Sequence, residues 1–354
     1  MPTAQQELDD LFLATLRLNA SDLHLSVGYK PTVRIDGKLV PLEDFSVLTP
    51  EHAEELAFLL LGDRKDRFLK EKEIDFSYSF KDKARFRANV FFEKSYISSA
   101  LRLISAQIRT VEELNLPPVL HKLSQLEQGF VLLTGPSGHG KSTTLAAVID
   151  EINHIRSEHI ITIEDPIEYL FVGDKSIVNQ REVGQDTQSF DSALSSILRE
   201  DPNVIMIGEM RNPETIAAAL TAAETGHLVL SSLHTNSASQ TVDRIISAFP
   251  SEQQNQIRIQ LANTLSAVVS QRLLPRIGGG RLPAAEIMFA NSAVSNLIRD
   301  NKAYQIDLVI ETSLESGMIS LNRSLLELVR RGEVAPETAI AHSLNPEDLK
   351  LTIK

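Results

Sequence analysis

The 354-residue sequence contains no cysteine. This excludes disulfides and any zinc site built on thiolates, and it suits a reducing compartment. No apolar run approaches the length needed to cross a bilayer, and the opening MPTAQQELDD is polar and acidic, unlike a signal peptide, so a cytoplasmic protein is expected. Basic charge is in short supply: 35 Lys and Arg stand against 47 Asp and Glu, for a net charge of -12. Such a balance argues against a surface dedicated to nucleic acid or anionic lipid. Internal repeats and low-complexity tracts are absent as well.

Hydrophobic residues make up 42% of the chain, ample for burial, and the length exceeds that at which one core stops growing. Two domains are therefore expected. Residues 5–19 place Leu8, Leu11, Phe12, Thr15 and Leu16 on one helical face, 21–26 alternates like a strand, and 33–40 reads as a hairpin turning at Asp36-Gly37. A helix over 50–61 stops at Gly62, and 74–80 and 85–103 are strand-like, which gives an N-terminal α+β domain over 1–104. Two adjacent prolines and mixed polarity mark 105–118 as a linker.

From 119 to 354 the alternation changes character. Apolar strands at 130–134, 159–163, 204–207 and 228–232 are separated by helical stretches, the order of a mostly parallel α/β sheet with ligand at the carboxyl ends of its strands. Asn212 caps the helix that Pro213 opens and Gly226 ends. Residues 257–274 read as an amphipathic helix closed before Pro275, 278–280 as a flexible turn, and the chain from 291 onward as a helical tail.

The organising stretch is 130–145, FVLLTGPSGHGKSTTL. A buried strand, the pattern G-x-x-x-x-G-K-S and a helix follow in the order a phosphate site needs. Gly135, Gly138 and Gly140 let backbone N–H groups turn inward, Ser137 and Thr143 belong to the same cradle, and the helix start adds partial positive charge. Lys141 is expected to reach the β and γ phosphates of a nucleotide, and the Ser142 hydroxyl to hold Mg²⁺. His139 is unusual in such a loop; its ring either touches phosphate or faces solvent, and solvent is the expectation because such loop residues usually contribute only backbone to the cradle. Acids at strand ends are candidates for the metal and the attacking water: Glu164, Asp165 and Glu168 after one strand, Glu209 after another. His227 and His234 bracket a further strand, where an imidazole serves either as a hydrogen-bonded structural group or as a reporter of the γ phosphate.

GPSGHGKST, ITIEDPIEY, VNQREVGQDTQSF, LREDPNVIMIGEMRNPETI and TAAETGHLVLSSLHT, in this order, resemble the secretion ATPase superfamily, most closely the PilT-type pilus retraction motors. ASDLHLSVG, GGGRLPAAEIM and NLIRDNK extend the resemblance over nearly the whole chain. It implies a homohexameric ring of subunits with an N-terminal PAS-like domain and a RecA-like P-loop ATPase core ending in a helical tail. ATP and Mg²⁺ are the implied cofactors. The implied partners are the pilus platform protein of the inner membrane and a paralogous pilus ATPase, with no nucleic acid. By the same resemblance Gly135 to Thr143 form the Walker A loop, Glu164 lies in the Asp box as water-orienting base, Glu209 lies in Walker B on Mg²⁺, and the reverse assignment stays open. His227 and His234 lie in the His box and are carried with the nucleotide site, and Arg87 and Arg102 resemble N-domain arginines that approach bound nucleotide. Extension ATPases of this superfamily commonly carry a tetracysteine zinc insertion, so the lack of cysteine points to the retraction side. An accessory paralogue acting through another motor is the alternative.

Overall fold

The computed structural model describes residues 3–35, 37–81, 83–104 and 107–353. The chain divides into two units, one of residues up to Gln107 together with Pro166–Leu170, the other of Ile108–Asp165 and the chain from Phe171 on. The expected linker is thus shared out: Ser105 and Ala106 lie outside the described residues, while Val111 and Leu116 are buried in the core of the second unit.

In the first unit α1 (Ala4–Arg17) opens with a reciprocal cap, the Thr3 hydroxyl accepting from the Gln6 N–H and the Gln6 amide oxygen accepting from the Thr3 N–H. Helices α2 (Pro50–Leu61) and α3 (Lys65–Glu71) complete the layer; α2 stops at Gly62, as its sequence predicts, and opens on a cap from Thr49. Six strands form the sheet: β1 (Asp22–Leu25), β2 (Thr32–Ile35), β3 (Lys38–Pro41), β4 (Glu73–Phe80), β5 (Ala84–Glu93) and β6 (Tyr96–Ile104). Their order is β3-β2-β1-β6-β5-β4, every pairing antiparallel. Asp36 of the predicted hairpin tip lies outside the described residues, but Ile35 and Lys38 on either side are partners in register. The strand-like run 85–103 breaks into two because Lys94 and Ser95 both adopt positive φ, the geometry of a tight hairpin. Phe12 of α1 packs its ring 4.6 Å from Phe86 and 4.9 Å from Phe80, and each such aromatic pair adds about 0.5–1.5 kcal/mol beyond area burial.

The second unit holds β7 (Gly129–Thr134), β8 (His159–Glu164), β9 (Ile177–Glu182), β10 (Val204–Ile207), β11 (Leu228–Leu233), β12 (Leu265–Pro275) and β13 (Arg281–Phe289). They form one sheet in the order β13-β12-β7-β11-β10-β8-β9, parallel throughout except for β13. Its helices are α4 (His121–Ser124), α5 (Lys141–Ile155), α6 (Phe190–Ile197), α7 (Pro213–Glu224), α8 (Ala238–Ser247), α9 (Ser251–Thr264), α10 (Ser292–Arg299) and α11 (Ile306–Thr312). Because successive strand residues point to opposite faces, Phe130 and Leu132 enter the core built with α6 to α9, while Val131 and Leu133 enter the core built with α5. Helices α12 (Leu321–Arg330), α13 (Pro336–His342) and α14 (Pro346–Ile353) pack through Leu325 and Leu349 against Leu274 and Leu282 of the β12–β13 hairpin. No helix among the described residues is long and apolar enough to cross a membrane.

The single helix expected over 257–274 is corrected. Helix α9 ends at Thr264, and Leu265 to Pro275 continue as a strand between β7 and β13. That segment is buried on both faces, so its apolar residues run together instead of alternating, and periodicity cannot separate strand from helix.

On β13, Glu286 is 6% exposed and its Oε1 accepts the Ala238 N–H at the start of α8, at 2.7 Å. Burial raises its carboxyl to about 7; Asp307 pushes the same way, while the Ala238 N–H and the Arg272 charge oppose. The folded value lies above the usual carboxylate range, so the folded chain keeps a proton that the unfolded chain has shed. Stability therefore falls as pH rises from the usual carboxylate value through about 7. Glu286→Gln keeps the acceptor and cannot ionise; its thermal stability relative to wild type is expected to grow across that window by up to about 3 kcal/mol. Melts at a series of pH values check this, and a constant difference would refute it.

Candidate functional site

Every residue of β7 is buried, and the chain leaves it at Gly135. Gly135, Gly138 and Gly140 have φ of 138°, 77° and 82°, a region that favours glycine. Space adds a second demand. A Cβ at Gly135 would lie 2.2 Å from the Gln271 carbonyl oxygen and one at Gly140 2.8 Å from the Gln271 amide nitrogen, whereas Gly138 has nothing within 4 Å. Strand β12 thus braces the loop. Gln271 Oε1 accepts from the Thr144 hydroxyl at 2.8 Å, and its Nε2 donates to the His139 carbonyl at 2.9 Å. Gln271 was not legible as a site residue, because the sequence placed it in a helix.

The ring of His139 corrects an expectation. Rather than facing solvent, its Nδ1 accepts the Leu273 N–H at 3.0 Å. Burial lowers its pKa, helped by the nearby charges of Arg272, His342, Lys141 and Arg281, so the ring is held neutral with its proton on Nε2. Its side chain is occupied in bracing, which leaves the backbone for the cradle. Ser137 is exposed at the loop tip, and Ser142 and Thr143 stand in the first turn of α5.

Lys141 is 7% exposed. Its Nζ donates to the carbonyls of Gly135 at 2.8 Å and Pro136 at 3.0 Å and lies 3.2 Å from Nδ1 of His234. An ammonium only donates, so Nδ1 is the acceptor and the His234 proton sits on Nε2, 3.2 Å from Glu209 Oε1. Arg211 Nε donates to the other Glu209 oxygen at 3.1 Å. Loop, β10 end and β11 end therefore meet in one chain of contacts, Lys141 to His234 to Glu209.

Glu164, 6% exposed at the end of β8, accepts at Oε1 from the Thr162 hydroxyl at 2.7 Å and the Gln180 amide at 3.1 Å. The order β7-β11-β10-β8 sets it three strands from the loop, roughly 14 Å across the sheet, and Glu209 one strand nearer. In register beside it on β9 stands Glu182, 1% exposed, an acid that the sequence reading did not single out. Asp165 is exposed, and Glu168 belongs with the first unit.

His227 parts company with His234. Leu228 is in register with Gly129 and Leu233 with Thr134, so His227 sits at the amino end of β11, about 20 Å along the strand from the loop. Its Nδ1 lies 2.8 Å from the Ala222 carbonyl and 3.1 Å from the Thr225 hydroxyl, so it finishes α7 and does not touch the loop of its own chain. Arg87 and Arg102 face each other across β5 and β6 in the first unit. Each has a carboxylate, Asp75 at 2.6 Å and Asp22 at 2.9 Å.

Beside the loop lies a pocket of about 310 Å³. It is lined by Arg109 and Glu113 to Leu116 from the segment before α4, by Gly140, Thr143 and Thr144 from the loop and α5, and by Gln271, Leu273, Arg281 and Pro283 from β12 and β13.

Residues 98–281 match the family model described as type II/IV secretion system protein. The chain is 43% identical to the type IV pilus retraction ATPase PilT of Pseudomonas aeruginosa, covering 97% of this chain and 99% of that protein. Identity to the type IV pilus ATPase PilU of the same organism is 38%, over 98% of this chain and 91% of the relative. A crystal structure of the pilus retraction motor PilT with bound ADP superposes with a TM-score of 0.90 at 46% identity, covering 97% of this chain and 98% of that one. A mostly parallel sheet with a braced glycine loop, and relatives matched along almost their full length, lead to one statement: this chain belongs to the type II/IV secretion system protein family and, within it, to the PilT-type pilus retraction ATPases.

Proposed function

We propose that the chain is a Mg²⁺-dependent ATPase that works as a homohexamer and drives type IV pilus retraction from the cytoplasmic face of the inner membrane, docked on the platform protein of the pilus machine. The observation that carries the reading is the contact chain Lys141–His234–Glu209 at the carboxyl edge of the sheet. It joins the cation that takes a terminal phosphate to the acid of a neighbouring strand. Backbone N–H groups of 137–143 and the positive end of α5 bind the phosphates, with Lys141 on the terminal pair. Ser142 and Glu209 supply oxygen donors suited to a hard cation. No cluster of three or more His, Asp or Glu among the described residues holds a metal unaided, which fits an ion that shares its ligands with the nucleotide. When bound, Mg²⁺ neutralises charge developing on the phosphates.

Glu164, farther from the loop than Glu209, orients the attacking water, and His234 senses the terminal phosphate through Lys141. Arg87 and Arg102 supply positive charge to a bound nucleotide, a contribution worth about 10³–10⁵ in turnover when an arginine acts this way. Full-length similarity to PilU supports a second reading, an accessory subunit that binds ATP and works through another motor. Purified protein separates the two. Mg²⁺-dependent ATP turnover, unchanged by added DNA, is expected of the motor; intact binding with negligible turnover identifies the accessory. Deletion of the gene is expected to leave surplus surface pili without twitching, and loss of pili would overturn retraction.

A further inference from the structure

His121 opens α4 and lies between two carboxylates. Its Nδ1 is 2.8 Å from Oε1 of Glu151 on α5, and its Nε2 is 2.6 Å from Oε1 of Glu112 in the turn 110–116. Ionised carboxylates only accept hydrogen bonds, so both ring nitrogens donate and the ring is an imidazolium. The bond to Glu151 raises its pKa, burial opposes, and the bond to Glu112 raises it further. Oε2 of Glu151 is buried and meets no donor among the described residues, so the charge of that acid leans on His121.

The two elements joined both line the pocket, the turn through Glu113 to Leu116 and α5 through Thr143 and Thr144. Turn 110–116 is clipped by the Thr110 N–H to Glu113 and the Glu113 N–H to the Thr110 hydroxyl, at 3.0 and 3.3 Å, and it presents Glu113 to Leu116 to the cavity. Helix α5 carries Lys141, Ser142 and Thr143 in its first turn. The pocket adjoins the phosphate loop at Gly140 and Thr143, so a nucleotide whose phosphates lie in the loop, as proposed above, has room there for its nucleoside end. We propose that His121 is a positioning residue: as an imidazolium it ties the turn 110–116 to α5 and so sets the affinity for the nucleoside end of the nucleotide, without a part in gripping the phosphates. Among the described residues the titratable groups that act on the ring are Glu151 and Glu112. The tie holds at low pH and is lost as pH rises through the elevated imidazole value.

The test rests on the nucleotide reading and is arranged to fail separately from it. Calorimetry on the full chain compares ADP with inorganic tripolyphosphate, which lacks a nucleoside, at about pH 6 and about pH 9. Comparing variant with wild type at each pH cancels protonation of the ligand. His121→Ala is expected to weaken ADP about fivefold to tenfold at the lower pH and little at the higher, with tripolyphosphate unaffected at both. Glu112→Ala removes the same tie from an exposed side chain, without disturbing the core, and is expected to show the same selective loss. Equal weakening of both ligands, or a loss independent of pH, overturns the role of His121 while nucleotide binding stands. Failure of wild type to bind either ligand removes the nucleotide reading, and this proposal with it.

Discussion

Lys141→Ala is expected to fold and to lose nucleotide. The ammonium is held over the loop by two carbonyls and is nearly shielded from water. There a charged hydrogen bond to phosphate is worth about 1.5–3 kcal/mol, so losing contacts to two phosphates weakens binding by roughly 10²–10⁴. Fold is judged by circular dichroism and melting, binding by calorimetry with ADP and ATP. Wild-type affinity in a folded variant would overturn the role given to this residue.

Glu164→Gln is expected to keep binding and lose turnover. An amide oxygen still accepts from Thr162 and Gln180, so the local network survives, but the group no longer takes a proton from water. Removing a positioned base lowers turnover by about 10²–10⁴. The partner experiment fixes the division of labour between the two acids. Glu209→Gln is expected to raise the Mg²⁺ concentration needed for half-maximal turnover, a requirement that Glu164→Gln leaves unchanged. The opposite pattern would exchange their assignments, and unimpaired turnover from the Glu164 variant would dismiss it as the base.

The phosphate loop was legible because its information is local: strand, three glycines, lysine and helix lie within one stretch of chain, and so do the stop of α2 at Gly62 and the Asn212 cap of α7. What lay hidden depends on pairing across long separations. The strand β12 reads as a continuation of α9, and β13 carries Pro283, which speaks against a strand unless the strand is at an edge, as this one is. With β12 unseen, Gln271 could not be seen as the brace of the loop. His227 and His234 look equivalent in sequence; the parallel register of β11 with β7 puts them at opposite ends of the sheet. His139 looked like a solvated loop residue because its partner, the Leu273 N–H, belongs to the same unseen strand.

That strand also makes the loop a berth with one quay. Backbone and side chain of Gln271 crowd Gly135 and Gly140 from the sheet side, while the flank at Gly138 stands open. At Gly138 the demand for glycine is therefore one of backbone angle alone, whereas at Gly135 and Gly140 it is also one of room.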